Sequence, residues 1–335
     1  ASVIESLELL IRTQESEIAA LAAALPTATF EGLDIRLIRL RDQTLALGQE
    51  TRAQMRELGP VADLLAAAVV HQGEAVVALR AEPVDGAAAV ERERLALTRL
   101  RDALAEAERL QERAEDRAAR RAREELKRAY REALESQVAV RVATEPLAAR
   151  DLTRRERIDL RRLGEAQDSV RVTLEELREQ SEDLADALVV DYAHERLAAL
   201  TRTSRDDLAA GRATAATLTN QDRAARVLRS LIEALEDPET EEDFREAGGG
   251  QGQGQGQQGG GDQGTIPPIA QLKLLRAMQE EAADRTRAVH TGDQPDAAEL
   301  EDVGTLQRRL GSIGAELIRD MQRGGGPSGL PGETP

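Results

Sequence analysis

Leucine and its aliphatic relatives recur at alternating intervals of three and four residues through most of this chain. The cleanest run is Leu160, Leu163, Val170, Leu174, Leu177, Leu184 and Leu188, interrupted only by the polar Gln167 and Ser181. That spacing gathers its members on one face of a helix, and such a face must be buried against another helix. Aromatic residues scarcely contribute: Phe30, Tyr130, Tyr192 and Phe244 are the whole set, and Trp is absent. A core of Leu, Ala, Ile and Val without rings suits thin helix-on-helix packing, so the expected class is all-α.

Breakers divide the pattern into segments. Ile4, Leu7, Ile11, Ile18, Leu21 and Leu25 form a first seam, with Gln14 as its polar intruder, ending at Pro26. A second helix is expected from about Gly32 to Leu58. Ile35, Ile38 and Leu45 widen its apolar face beyond Leu37, Leu40 and Leu47, which implies more than one packing partner. Gly59-Pro60 opens a third, largely apolar helix, and a turn follows at 81–86. One long helix is then expected from Ala87 to Ala143, on a seam of Val90, Leu97, Leu100, Leu104 and Ala107. Thr153 and Glu156 have capping-box spacing, and the helix they open is expected to run on through Leu208 to Gly211. With the preceding helix it would make a long antiparallel hairpin. A further helix is expected over 213–235.

The segment 248–264 contains only Gly, Gln and Asp262, which reads as a flexible disordered linker. Pro267-Pro268 suits a helix start, and two amphipathic helices follow up to Arg323. The expected organisation is therefore N-terminal helices over 1–85, a helical hairpin or coiled-coil bundle over 86–247, the linker over 248–264, a small C-terminal helical hairpin over 265–323, and a disordered tail over 324–335. Leu272, Leu275, Met278, Leu310 and Leu317 on that tethered hairpin are the candidate partner-binding residues, because so small an element buries little core alone. It would either dock back on its own chain or capture a partner.

Little points to catalysis or cofactors. Without cysteine the chain has neither disulfides nor thiolate metal sites. Asp191 and His194 have a metal-ligand spacing, but no second carboxylate-x-x-His pair accompanies them, and an ordinary polar face is the simpler reading. The glycine run lacks the Lys and Ser/Thr of a phosphate loop, and no Gly-x-Ser-x-Gly elbow occurs. The expected assignment is a non-enzymatic chain with no catalytic, metal or cofactor residues. No apolar run approaches a membrane span, since 61–80 is interrupted by Asp63, His71, Gln72 and Glu74. Arg113, Arg117, Arg120, Arg121, Lys127 and Arg128 form a locally basic segment, a candidate contact for phosphates or an acidic partner. Interspersed acidic residues and a net charge of −17 argue for a solvated helix there and against nucleic acid.

The last third resembles a group of uncharacterised bacterial exported coiled-coil proteins. In these a Gly, a Thr and a Gln precede a Leu/Ile-rich helix, and a Gln/Gly-rich spacer leads to a Pro-Pro-initiated Leu-rich helix ending in Arg-Thr-Arg. The matching positions are Gly211, Thr214 or Thr217, Gln221, Pro267, Pro268, Leu272, Leu275 and Arg285 to Arg287. The resemblance implies export and an elongated helical form beside a membrane machine. The small residue Ala1 agrees with a periplasmic or exported location. The expected function is thus a structural or interaction protein of the cell envelope, a scaffold or accessory subunit with protein partners. Those partners include a membrane protein or, through its own seams, further copies of the chain. The alternative is a cytoplasmic coiled-coil adaptor or nucleoid-associated protein using residues 113–131.

Overall fold

A computed structural model describes residues 2–54, 56–179, 181, 184, 186–236, 265–291 and 297–324. The described residues are all-α, with nine helices and no strand: α1 (Val3–Ala24), α2 (Leu33–Gln54), α3 (Gly59–Leu79), α4 (Gly86–Thr144), α5 (Arg154–Glu179), α6 (Leu188–Ala209), α7 (Ala215–Ala234), α8 (Pro268–Thr291) and α9 (Ala297–Gly324). The expected linker over 248–264 and the tail beyond 324 lie outside the described residues.

Local chemistry sets the helix ends. Ser2 and Glu5 form a reciprocal capping box at the start of α1. At α5 the Glu156 amide donates to Thr153 Oγ1 at 3.3 Å, and the Thr153 amide donates to Glu156 Oε2 at 2.8 Å. Pro26 and Pro146 each sit in a short 3-10 turn, and the chain then passes through a left-handed alanine, Ala28 at φ +48° and Ala149 at φ +53°. Gly211, at φ +72°, ends α6 in a conformation that carries no Cβ penalty for glycine.

The chain divides into two compact units, 1–117 and 118–335, so the boundary falls inside α4 rather than before it. In the first unit α1, α2, α3 and the first half of α4 make an up-down-up-down bundle. Leu21, Leu37, Val76 and Val90 pack at one end of it, and Leu7, Leu65 and Leu100 pack toward the other. In the second unit the last part of α4 joins α5, α6 and α7 in the same arrangement, with Val140, Leu160 and Leu208 at one end. Leu126, Tyr130, Leu174 and Leu228 pack in its main cluster.

One expectation is corrected. The helix expected to continue from Thr153 to Gly211 is two helices, α5 and α6, folded back on each other. Gly164 allows the close approach, because a Cβ there would lie 3.0 Å from the Ala209 backbone nitrogen. Leu184 and Ala187, between the two helices in sequence, are buried. The Leu seam runs through both helices because both face one core, so the periodicity is the same for one long helix and for two short ones. The C-terminal pair packs on itself as the expected hairpin and, of the two alternatives, docks back on its own chain. Helix α8 packs on α6 and α7, α9 packs on α8, and both feed the main core of the second unit.

Candidate functional site

A trough of about 580 Å³ lies between α1 and α2. Its floor is apolar, made by Leu10, Leu40 and Leu47. Ser6, Leu9 and Thr13 of α1 face Arg39, Gln43 and Ala46 of α2 along its rims. These residues share one surface because Leu37 and Leu40 turn into the bundle core, which leaves Arg39, Gln43 and Ala46 outward beside α1. One end carries an ion pair in which Arg36 donates from Nε at 3.1 Å and from Nη2 at 2.8 Å to Glu17 Oε1. The trough is long, open and lined by opposed charges on an apolar base. Chemically it suits an amphipathic segment better than a small substrate, which would be more fully enclosed.

Behind the trough lies a buried polar layer with one residue from each helix of the bundle. Gln72 Nε2 donates to Gln14 Oε1 at 2.8 Å and to Thr44 Oγ1 at 3.1 Å. Gln14 Nε2 donates to the Glu93 backbone carbonyl at 3.1 Å and to the Glu93 carboxyl. Burial pushes the Glu93 carboxyl up to about 7, the Gln14 hydrogen bond opposes this, and the nearby Glu17 adds to it. Glu93 is fully buried. At neutral pH it is a carboxyl held close to its own titration point.

In the second unit the shifted group is His194. Its Nε2 lies 2.8 Å from Tyr130 Oη, and it hydrogen-bonds the Leu174 backbone. Burial lowers its pKa to about 4, Arg178 lowers it further, and Asp191 and the Leu174 contact oppose them. Burial pushes Tyr130 up. The imidazole is therefore neutral and accepts from the phenol. A depression of about 290 Å³ beside it is lined by Arg171, Glu175, Arg178, Glu195 and Arg202. Asp191 pairs with Arg178 rather than sharing a ligand with His194, and among the described residues no three acidic or histidine side chains gather as metal ligands.

The structure places the sequence candidates elsewhere. Leu275, Met278, Leu310 and Leu317 are buried in the core of the second unit, covered by this chain's own helices, and only Leu272 is left 37% exposed. That docking is fixed by a nearly enclosed Arg196–Glu281 ion pair at 2.7 Å and by Arg223 of α7, which reaches Glu299 at 2.7 Å, while Arg285 ties α8 to Glu299 and Asp302 of α9. As a surface for partners the hairpin is thus corrected: its apolar stripe is used in cis. In the basic segment Arg113, Arg120 and Arg121 are exposed, but Lys127 is buried and donates to Glu124, Arg117 pairs with Glu57, and Arg128 with Glu132. These contacts remove half of the six expected cations from a free basic face.

Sequence reasoning missed the trough and Glu93. The first left no signal in the seam pattern, since the residues that widen the α2 face, Ile35, Ile38 and Leu45, do not line it. For the second, Glu93 stands three residues after Val90 and four before Leu97, a seam position occupied by a charge. No protein-family model, curated protein or solved structure matches the chain.

Proposed function

We propose that this chain is a non-enzymatic interaction protein whose first unit receives an amphipathic helix of a protein partner in the α1–α2 trough. The observation that carries the reading is the trough itself, with Leu10, Leu40 and Leu47 as an apolar floor between polar and charged rims. An amphipathic helix presents an apolar stripe flanked by charges, which is the complement of that surface. Glu93 and His194, both strongly shifted in pKa, are enclosed in bundle interiors and hydrogen-bonded there, as structural polar groups are. The resemblance of the last third adds the setting, an accessory or scaffold role at the cell envelope.

A photo-crosslinking residue placed at Gln43, on the rim, tests this in the native host. The expected result is a discrete protein adduct that is absent when the same residue stands at Arg161 in the second unit. The adduct should be lost in Leu9→Glu, a change at an exposed position that leaves the core intact. Equal labelling from both positions, or an adduct insensitive to Leu9→Glu, rejects the trough as the contact.

A further inference from the structure

Among the described residues helix α3 is the most apolar helix, and no described residue covers its outer face. Ala66, Val70, Gly73 and Val77 follow one another at steps of four, three and four, the spacing of a helix-packing seam. Val70 is 58% exposed and Val77 70% exposed. A Cβ built on Gly73 would meet nothing within 4 Å. Leu45 of α2, itself 42% exposed, extends the stripe through a shallow groove it shares with Ala62, Ala66 and Val69.

The fold does not require this composition. Counting from Thr201 of α6 as from Gln72 of α3, the same stripe in the second unit reads Glu195, Ala199, Arg202 and Asp206. A bundle of the same topology there turns a charged face to solvent, whereas the first unit turns an apolar one.

The stripe is complementary to itself. Turned end over end about a point between His71 and Gln72, Val77 falls opposite Ala66 and Val70 opposite Gly73, so each large residue meets a small one. Asp63 falls opposite Arg80, and both are exposed side chains held by surface ion pairs, with Arg52 and Asp34. Such self-complementarity is what a two-fold interface demands. We infer that the outer face of α3 pairs with the same face of a second copy of the chain, antiparallel about a two-fold axis near His71 and Gln72. One helix pair with the Leu45 shoulder falls short of the roughly 800 Å² per partner of a standard interface, so the dimer should dissociate on dilution. The inference deepens the interaction-protein reading and rests on it, but uses a different face from the trough.

The test uses the full chain, which has no cysteine of its own. Residues 66 and 77 of one helix are roughly 16 Å apart, beyond the ~7 Å reach of a disulfide, so a bond between them has to join two copies. Under mild oxidation Ala66→Cys/Val77→Cys should give a covalent dimer while Val77→Cys alone stays monomeric. In sedimentation, the unmodified chain should move from monomer to dimer with concentration, and Val77→Lys should remain monomeric with unchanged helicity. A wild-type chain that stays monomeric, a Val77→Lys chain that still dimerises, or efficient self-crosslinking of Val77→Cys overturns the pairing. So does co-sedimentation of a monomer with phosphatidylglycerol vesicles that Val77→Lys abolishes, which would give the face to lipid. A monomer that keeps its Gln43 adduct overturns the pairing alone. A dimer without the adduct overturns the trough reading alone.

Discussion

The two bundles share a topology, a proline-bearing turn, a left-handed alanine and a polar layer across the middle, yet the layers differ in kind. In the second unit Gln137, Gln167 and Gln221 form a neutral amide network: Gln167 Nε2 donates to Gln137 Oε1 at 2.6 Å, and Gln221 Nε2 donates to Gln167 Oε1 at 3.2 Å and Thr144 Oγ1 at 3.3 Å. In the first unit the fourth helix supplies Glu93 where the second supplies Gln221. An amide can serve both as donor and acceptor at any pH, whereas a carboxyl can do so only when protonated. The first bundle has thereby acquired a titrating group in its core. The second has one too, but of opposite sign, His194. The second bundle also has α8 and α9 packed against α6 and α7, so its charged residues pair with a covering layer that has no counterpart on the first among the described residues.

The covering layer gives the largest expected effect. Leu274→Ala, at a fully buried position of α8, should destabilise the second unit by about 3 kcal/mol. Amide hydrogen exchange should show α8 and α9 opening while α1 to α3 keep their protection. Uniform loss of protection in both units would mean that they do not respond separately.

The titrating groups come next, and they should pull in opposite directions. Glu93 has a folded pKa of about 7 against an ordinary value of 4.5. The unfolded chain therefore releases its proton first, and the first unit loses stability as pH rises from about 4.5 to about 7. His194 has a folded pKa of about 4 against 6.5, so the unfolded chain binds its proton first and the second unit loses stability as pH falls from about 6.5 to about 4. Each full excursion is worth about 3 kcal/mol. Glu93→Gln should flatten the first response and stabilise the first unit at pH 8. His194→Gln, which keeps an acceptor for Tyr130, should flatten the second. Exchange protection followed by unit between pH 4 and 8 checks both, and parallel slopes in the two units would contradict them.

The smallest effect concerns what the two bundles share. Ala28→Gly and Ala149→Gly should each stabilise their unit by about 0.5–1 kcal/mol, because glycine takes positive φ without the Cβ clash. The gain at Ala149 should be the more sensitive to context, since its amide also donates to the Ala213 carbonyl at 3.0 Å. Thermal unfolding of each variant reads this directly.

Much of the fold was legible from residues alone. Pro26, Gly59-Pro60 and the Thr153/Glu156 pair mark helix ends by local chemistry, and local chemistry is what a sequence states outright. The reversal between α5 and α6 was hidden because a Leu seam records which face is buried and not where the chain turns. The docking of α8 and α9 depends on pairs such as Arg196–Glu281, whose members are remote in sequence. Glu93 was passed over because a charge at a seam position reads as a defect until its amide partners on other helices are seen. The trough was not foreshadowed: Ile35, Ile38 and Leu45, which widen α2, lie outside its lining, and Leu45 instead lines the groove beside α3.

The continuity of α4 bears on the order in which the chain is made. Its first half, with Val90, Leu100 and Ala103, completes the first bundle and can be locked in place before the rest has left the ribosome. Residues past Lys127 then add to a helix that already exists, one turn at a time, without the unfavourable step of starting a new one. Tyr130, Ala133 and Val140 are thus presented on a prewound surface to α5, α6 and α7 as they emerge. A first bundle formed ahead of the second would hand it a helix already started.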